Sequence, residues 1–263
     1  MSGWDREYLE HKQEYLELFD KSMQKDQEQN VEFLEDKLKI YTGRKYVVAC
    51  QSGTDALHFA LRSLDIKKGD EVMTTQFSWI STASCISMVG ATPVFCEIDA
   101  LTYHMSLDSI KKMYSDKVKA IVYPHLFGYM SETKEIIEFC KEKQIAFIED
   151  AAQSLGASLN GVKAGSIGDI STLSFNANKV IAGIAGGGAI CTDDKEKARM
   201  FKRLRKHGEN KILGYNSKML LMNAEFINFR LNRMKEWQKM RQDIAKQYDE
   251  QLREYVTLQP TTT

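Results

Sequence analysis

From about residue 45, short apolar runs alternate with segments whose apolar residues recur at helical spacing. The runs KYVVAC, EVMTTQ, TPVFCEI, KAIVYP and AFIED each predict a strand. Between the first two, TDALHFALRSL places Ala56, Leu57, Ala60, Leu61 and Leu64 on one helical face. Strands that alternate with helices at this spacing predict an α/β fold with a mainly parallel central sheet. Because the strands are apolar almost throughout, we expect helices on both faces.

The rhythm changes at both ends of this region. After AFIED, the runs GDISTLSF and GGAICT predict two more strands, joined by a long loop that carries Lys179. Two helices are predicted before residue 45, and a charged helical segment from about Met219 to Leu252. We therefore divide the chain into an N-terminal helical segment (1–30), a large α/β domain (31–218) and a long helical segment (219–263).

Composition excludes several classes of protein. Lysine plus arginine equal aspartate plus glutamate at 36 each, unlike the basic surface of a nucleic-acid binder. No apolar run is long enough to cross a bilayer, and the charged N-terminus does not resemble a secretion signal. The five cysteines are widely spaced inside apolar runs, without zinc-ligand spacing. We expect a cytoplasmic, reduced protein that has no structural metal and binds neither nucleic acid nor membrane.

Ligands of open α/β sheets bind beyond the carboxyl ends of the strands, so polar residues just after each strand are candidate site residues. After KYVVAC come Ser52, Gly53 and Thr54 at a helix start. Gly53 allows a tight turn, and the free N–H groups at the helix start suit a phosphate. The alternative is an ordinary turn in which Ser52 or Thr54 caps the helix.

Other strand ends add an aromatic ring, a carboxylate and hydrogen-bonding groups. Trp79 follows EVMTTQ and could stack on a flat ring or belong to the core. Asp150 ends a very apolar strand, where a carboxylate is costly unless it meets a cation; a helix cap is the alternative. Gln153 could donate a hydrogen bond from the same turn, and His125 could line a substrate pocket.

Ser174 and Lys179 follow GDISTLSF and complete a set of complementary groups. An anion cradle, an aromatic ring, a buried carboxylate and an amine match what pyridoxal phosphate (PLP) needs for its phosphate, ring, ring nitrogen and aldehyde. A loop position would let Lys179 alternate between holding the aldehyde and moving protons. The glycines at 186–188 are predicted to let the chain pass close to the cofactor.

These residues lie in motifs that resemble the sugar aminotransferases of the DegT/DnrJ/EryC1/StrS family, which have the aspartate-aminotransferase-like fold of PLP enzymes. The resemblance extends from about Val31 to Tyr255. The motifs that carry it, in order, are YTGRKYVVACQSGTDALHFALRSL, KKGDEVMTTQFSWISTASCISMVGATPVFCEID, VYPHLFGYM, IEDAAQSLGA, GSIGDISTLSFNANK, GGGAICTDD, RLRKHG and GYNSKM.

The resemblance implies roles for the residues that would contact the cofactor ring. Lys179 is similar to the Schiff-base lysine of the family, and Asp150 to the partner of the pyridinium nitrogen. Gln153 matches the residue that reaches the ring hydroxyl, and Trp79 the aromatic residue stacked on the ring. In the implied reaction, an amino acid, expected to be L-glutamate, gives its nitrogen to the keto carbon of a sugar nucleotide.

The resemblance also implies how the phosphate is held. Gly53, Thr54 and Ser174 match the phosphate cradle of the family. Asn216, in GYNSKM, matches an asparagine that reaches the cofactor phosphate of the neighbouring subunit, which implies a homodimer with shared active sites. Members of the family continue into a small C-terminal domain, so we expect that domain to be missing or truncated here.

Three rival interpretations remain beside the aminotransferase. Sugar dehydratases of the same family carry histidine in place of the Schiff-base lysine, so Lys179 argues against that activity. A non-catalytic module that keeps the fold and serves as a partner or regulator is the second alternative. A dinucleotide-binding domain is the third, but residues 183–188 lack the G-x-G-x-x-G spacing between a strand and a helix.

Overall fold

The structure is a computed structural model that describes residues 3–24 and 27–260, with side chains from residue 6 onward except at 25–30. The helices are α1 (Gly3–Glu10), α2 (Lys12–Gln24), α3 (Gln27–Thr42), α4 (Gly53–Arg62), α5 (Ile80–Met88), α6 (Leu107–Met113), α7 (Lys134–Lys143), α8 (Lys195–Arg205), α9 (Leu221–Asn232) and α10 (Met234–Leu252). The strands are β1 (Tyr46–Cys50), β2 (Glu71–Thr75), β3 (Thr92–Cys96), β4 (Val118–Pro124), β5 (Ala146–Asp150), β6 (Ser158–Leu159), β7 (Val162–Lys163), β8 (Ile170–Ser174) and β9 (Gly188–Thr192).

Seven strands form one mixed sheet in the order β1-β9-β8-β5-β4-β2-β3. The neighbours β3, β2, β4, β5 and β8 run parallel, whereas β9 is antiparallel to both β8 and β1. A separate two-stranded hairpin joins β6 to β7 through Asn160 and Gly161, whose positive φ angles suit a tight hairpin turn. The predicted α/β fold with a mainly parallel sheet is confirmed.

Successive residues of each strand point to opposite faces, and both faces are covered. On β1, Val47 belongs to one apolar core and Val48 to the other; on β4 the same division separates Ile121 from Val122. Helices α3, α6, α7 and α9 contribute to the first core, and α4, α5 and α8 to the second. The expected helical layer on each face is therefore present, which explains why the strands show continuous apolar runs.

The helical segments at the two ends differ in detail from the prediction. Among the described residues, three helices precede β1 rather than two, and the predicted helical segment from about Met219 to Leu252 consists of α9 and α10. The N-terminal arm is anchored by Arg230 of α9, which bonds Glu7 and also donates to the carbonyl of Ala182 (2.7 Å). The sequence pattern also missed α8, where only Ala198, Phe201 and Leu204 are buried. The proposed division at residues 30 and 218 stays a prediction.

Candidate active site

A cavity of about 430 Å³ opens at the carboxyl ends of β5 and β8, beside the start of α4. Its position follows from topology, because the carboxyl ends of parallel strands meet at one edge of the sheet. The cavity brings together all but one of the predicted site residues: Gly53, Thr54, Trp79, Asp150, Gln153, Ser174 and Lys179. His125 also lines it, as expected.

Asp150 is a buried carboxylate held in a fixed orientation. It is 5% exposed; Oδ1 accepts the backbone N–H of Ala152 (3.1 Å) and Oδ2 accepts the hydroxyl of Thr82 (3.2 Å). Since Thr82 gives its proton to the carboxylate, Ser78 Oγ, 2.9 Å away, donates to Thr82. Burial raises the pKa of Asp150, and the Ala152 N–H, Lys179 and Thr82 oppose that rise.

Lys179 lies in the loop between β8 and β9, at the end of a turn in which its N–H bonds the carbonyl of Asn176 (2.9 Å). The lysine is half-buried, and the three residues before it are exposed. Burial lowers the pKa of its amine, while the charge of Asp150 raises it. The predicted pair therefore meets in one cavity, with each charge influencing the other.

The start of α4 closes tightly onto β8. Ser52 caps the helix by accepting the N–H of Asp55 (3.0 Å), so the predicted helix cap is present. A Cβ on Gly53 would lie 2.8 Å from Ser174 Cβ, which explains the glycine and brings the Ser174 hydroxyl against the helix start. The hydroxyl of Thr54 lies 2.8 Å from Ser81 Oγ. First-turn N–H groups and clustered hydroxyls make a site suited to an anion.

The glycines at 186–188 have a more specific role than the pattern indicated. Gly186 and Gly187 line the cavity with positive φ angles of 76° and 121°. Gly188 faces the backbone of Ser52, where a Cβ would overlap the Ser52 carbonyl. The close approach is therefore between two segments of the chain, β9 and the turn before α4.

Trp79 and Gln153 lie at the open side of the cavity. Trp79 precedes α5 and is 68% exposed, so it is not a core residue. Gln153 Oε1 accepts the backbone N–H of Phe127 (3.1 Å), which fixes the amide and leaves its NH₂ group as the donor.

Asn216 is the predicted site residue that the structure does not bring to this cavity. It is exposed and pairs through its backbone with Lys206. The preceding residue, Tyr215, is anchored by His58 Nε2 (2.9 Å) and by Arg62 (3.0 Å). A role for Asn216 toward a second subunit stays a prediction.

Residue-level reasoning missed three side chains that shape the site. Ser78 and Thr82 stand one helical turn apart in FSWIST, and this spacing of hydroxyls was the available signal. Glu149 was hidden inside an apolar strand; it accepts the N–H groups of Gly165 (2.9 Å) and Ile167 (2.8 Å). Burial raises the pKa of Glu149 to about 7.

His125 is completely buried beside Glu149, with Nε2 lying 3.5 Å from Glu149 Oε1. Burial and the neighbouring His104 lower the pKa of His125 to about 3, so the imidazole is neutral at physiological pH. Neither ring nitrogen has a hydrogen-bond partner among the described residues. Buried polar groups without a partner are uncommon in folded proteins, and this one lies at the cavity wall.

The described residues contain neither a helix that could span a membrane nor a cluster of metal-ligating side chains. None of their helices combines the length and the apolar character that a membrane crossing requires. No cluster of three or more histidine, cysteine, aspartate or glutamate side chains in the same part of the chain could hold a metal ion.

Known proteins are similar in sequence to this chain. It is 35% identical over 231 residues to the pleiotropic regulatory protein of Geobacillus stearothermophilus, covering 86% of this chain and 62% of that protein. It is 38% identical over 203 residues to the UDP-N-acetyl-3-dehydro-alpha-D-glucosamine 3-aminotransferase of Acidithiobacillus ferrooxidans, covering 73% and 55%. The chain thus spans about three fifths of the length of these curated relatives.

A solved structure agrees with the fold. NtdA from Bacillus subtilis, with bound cofactor PMP, superposes with a TM-score of 0.77 and 32% identity over 86% of this chain and 53% of NtdA. Residues 7–263, nearly the whole of this chain, match the sequence pattern of one protein family. This chain belongs to the DegT/DnrJ/EryC1/StrS aminotransferase family.

Proposed function

We propose that this chain binds PLP and acts in an aminotransferase that moves an amino group from an amino acid, predicted to be L-glutamate, to a keto-sugar nucleotide. The observation that carries the proposal is the meeting of Asp150 and Lys179 in one cavity. The relative from Acidithiobacillus ferrooxidans, named for a keto-sugar nucleotide, supports the substrate class.

The residues present fit PLP. The start of α4 and the hydroxyl of Ser174 form a cradle for a dianionic phosphate, closed by the contact at Gly53. Asp150 would hold the ring nitrogen, and Lys179 would hold the aldehyde carbon. Trp79 offers an exposed ring for stacking, and the NH₂ group of Gln153 offers a donor for the ring hydroxyl.

Each residue contributes a definable physical effect. When bound, PLP supplies an electron sink for the carbon from which the proton is removed. Asp150, fixed by Thr82 and the Ala152 N–H, would favour a proton on the ring nitrogen because a positive charge beside a buried carboxylate stabilises both groups. Lys179, whose pKa is lowered by burial, has more neutral amine at physiological pH and can take up and return that proton.

Asn216 extends the proposal to assembly. It is exposed on a segment that Tyr215 anchors firmly, so it is available to a second copy of the chain. We propose that it reaches the phosphate cradle of that copy, as the family resemblance implies, in a homodimer with shared sites.

A second candidate function has its own support. The pleiotropic regulatory protein of Geobacillus stearothermophilus is 35% identical to this chain, and its name describes regulation rather than transamination. A PLP-binding protein that regulates without turnover would keep the same cavity. The sugar dehydratase alternative is disfavoured, because Lys179 stands where those enzymes carry histidine.

Borohydride trapping tests the site. Purified protein with PLP should show a cofactor absorption band that borohydride bleaches, and mass spectrometry of peptides should find the adduct on Lys179. Lys179→Ala should abolish the adduct, while Lys218→Ala, which changes an exposed lysine outside the cavity, should keep it. The same covalent adduct in Lys179→Ala would contradict the assignment.

Turnover separates the two functions. Conversion of glutamate to oxoglutarate in the presence of 3-keto or 4-keto nucleotide sugars would support the aminotransferase. If PLP is trapped on Lys179 but glutamate is not converted with any of these nucleotide sugars, the regulatory candidate would be favoured.

A further inference from the structure

Three aromatic side chains cluster on the surface beside the cavity. The ring centroids of Phe77 and Tyr103 are 5.5 Å apart, those of Phe77 and Phe127 6.3 Å, and those of Tyr103 and Phe127 6.0 Å. Phe77 is 45% and Phe127 61% exposed, while Tyr103 is half-buried. We call these three residues the aromatic rim. So much exposed aromatic surface in one place is typical of a binding site.

The aromatic rim is tied to the cavity from two directions. Phe77 directly precedes Ser78 and Trp79, which line the cavity. The backbone N–H of Phe127 is bound by Gln153, another lining residue. The three rings therefore adjoin residues that line the cavity without lining it themselves, and a ligand that extends past Ser78 and Gln153 would meet them.

The backbone under the aromatic rim is strained. Tyr103 and Phe127 adopt left-handed conformations with φ of 61° and 59°, which bulky residues rarely adopt. Such conformations persist only where surrounding contacts impose them, and they cluster at ligand sites.

One buried histidine connects the two left-handed segments. His104, 2% exposed, follows Tyr103, and its Nε2 accepts the N–H of Leu126, the residue before Phe127. Its Nδ1 therefore carries the proton and donates to Ser131 Oγ (2.8 Å). Burial lowers the pKa of His104 to about 4, so the ring stays neutral and keeps this acceptor.

The Tyr103 loop has a second brace. Asp99 Oδ1 accepts three hydrogen bonds, from the N–H groups of Leu101 and Thr102 and from the Thr102 hydroxyl. Gln259 adds a bond to the carbonyl of Thr102 (2.9 Å). The aromatic rim is thus preorganised, and little conformational freedom would be lost when a ligand binds.

The size of the cavity indicates which part of a sugar nucleotide would lie outside it. About 430 Å³ is within the range for one drug-sized ligand, so PLP together with a sugar ring would fill it. The nucleoside half of a sugar nucleotide must then project from the opening. A nucleobase is flat and aromatic, and it stacks on aromatic side chains whatever its identity.

We propose that the aromatic rim is the seat of the nucleobase of the sugar-nucleotide substrate. The inference rests on the proposed function for the substrate class, and on the geometry for the location. Because the three rings are mutually tilted, by 33°, 63° and 87°, one flat base can stack on one ring and meet the edge of another.

Calorimetric titration of the protein with UDP, GDP and dTDP tests this proposal. Phe127→Asn and Tyr103→Asn remove a ring but suit the left-handed backbone, so we expect thermal stability to be kept. Each should raise the Kd of all three nucleotides by about tenfold, the loss expected for one stacking contact. Phe127→Tyr should bind like the unmodified protein, because it keeps the ring.

Two controls isolate the base. Inorganic pyrophosphate, which has no base, should bind equally to the unmodified protein and to Phe127→Asn. Phe33→Leu, which changes a phenylalanine on α3 that is 52% exposed, should leave the Kd of UDP unchanged. Pyrophosphate binding that weakens in parallel with UDP would overturn the proposal, since the loss would not depend on the base.

Other outcomes would also overturn it. Unchanged Kd values in both asparagine variants would exclude the aromatic rim as the base site, as would a change of oligomeric state without a change in Kd. The amino-donor half-reaction, followed by cofactor absorbance without nucleotide, tests the proposed function separately. If that half-reaction fails, the proposed aminotransferase function is refuted. If it succeeds but the Kd of UDP is the same in both asparagine variants, only the present inference is refuted.

Discussion

Asp150 and Lys179 face the same cavity from two regions that are held in different ways. The end of β5 is fully buried, and both oxygens of Asp150 are occupied by groups of the chain itself. The loop from 176 to 187 is exposed at residues 176–178 and 184–185. Its buried middle part is held by Arg230, which donates to the carbonyl of Ala182, and its far end by the buried amide of Asn223. The contrast is between a buried acid whose two oxygens are held by hydrogen bonds and a half-buried lysine that follows three exposed residues.

The same comparison applies to charge. Burial raises the pKa of Asp150 and lowers that of Lys179, so folding disfavours the charged form of both groups. Groups that serve only stability are seldom placed so unfavourably, and shifted pKa values gather at functional sites. The region around Asp150 therefore sacrifices stability for a preorganised charge.

Asp150→Asn should have the largest effect. An amide cannot hold the ring proton by its charge, so we expect single-turnover transamination of the donor to fall at least about 100-fold. Stopped-flow absorbance of the bound cofactor measures this rate. Asp169→Asn is the matched control at the opposite edge of the sheet, where the carboxylate accepts the N–H of Phe147, and it should keep the rate.

The stability of the cofactor-free variant sharpens the test. Folding raises the pKa of Asp150 above its ordinary 3.8, so its contribution to stability is lost as pH rises through the folded pKa. Asp150→Asn removes this dependence, and its Tm relative to the unmodified protein should rise between pH 4 and neutral pH. Unchanged donor kinetics in Asp150→Asn would remove the proposed role of the carboxylate.

How much of the fold and of the site could be predicted from the sequence depends on whether the contacts involved are local or distant along the chain. The seven strands of the main sheet and the position of Asp150 follow from local apolar runs and from the rule for carboxyl ends. Lys179 was recognisable because its loop separates two such runs. The order of the strands could not be predicted, because the antiparallel insertion of β9 between β1 and β8 depends on long-range pairing.

The residues that hold Asp150 and the lysine loop in place were the least predictable part of the site. Thr82 meets Asp150 only because α5 lies over the end of β5, and Asn223 meets the lysine loop from a helix far along the chain. Glu149 was hidden by its apolar neighbours. It accepts hydrogen bonds from two backbone N–H groups, which no side-chain pattern reveals. Such contacts are set by tertiary geometry, which periodicity does not encode.

Asn223→Ala should have an intermediate effect, confined to the lysine loop. The amide accepts the N–H of Ala185 (3.1 Å) and donates to the carbonyl of Gly186 (2.8 Å), and both bonds would be lost. We expect the free energy of unfolding to fall by about 1–2 kcal/mol and PLP affinity to fall about tenfold. Denaturant unfolding and fluorescence titration with PLP measure the two effects.

Asn232→Ala provides the control on the same helix. Its side chain is exposed and accepts only from Lys37 (3.0 Å), so both quantities should stay within error of the unmodified protein. If Asn223→Ala also left PLP affinity unchanged, the loop would not depend on this amide. The contrast between the two regions would then lose its structural basis.

Thr82→Val should have the smallest effect, because Asp150 keeps its bond from Ala152 and its attraction to Lys179. Loss of one donor should raise the pKa of Asp150 further and slow donor single turnover by about fivefold, equivalent to roughly 1 kcal/mol. Thr74→Val is a matched control in β2, where the buried hydroxyl has no partner among the described residues. That variant should keep the rate and be equally or more stable, because valine removes an unsatisfied hydroxyl. If both variants slowed the reaction equally, the Thr82 hydroxyl would matter only as packing volume, and the orientation of Asp150 would have to come from the backbone alone.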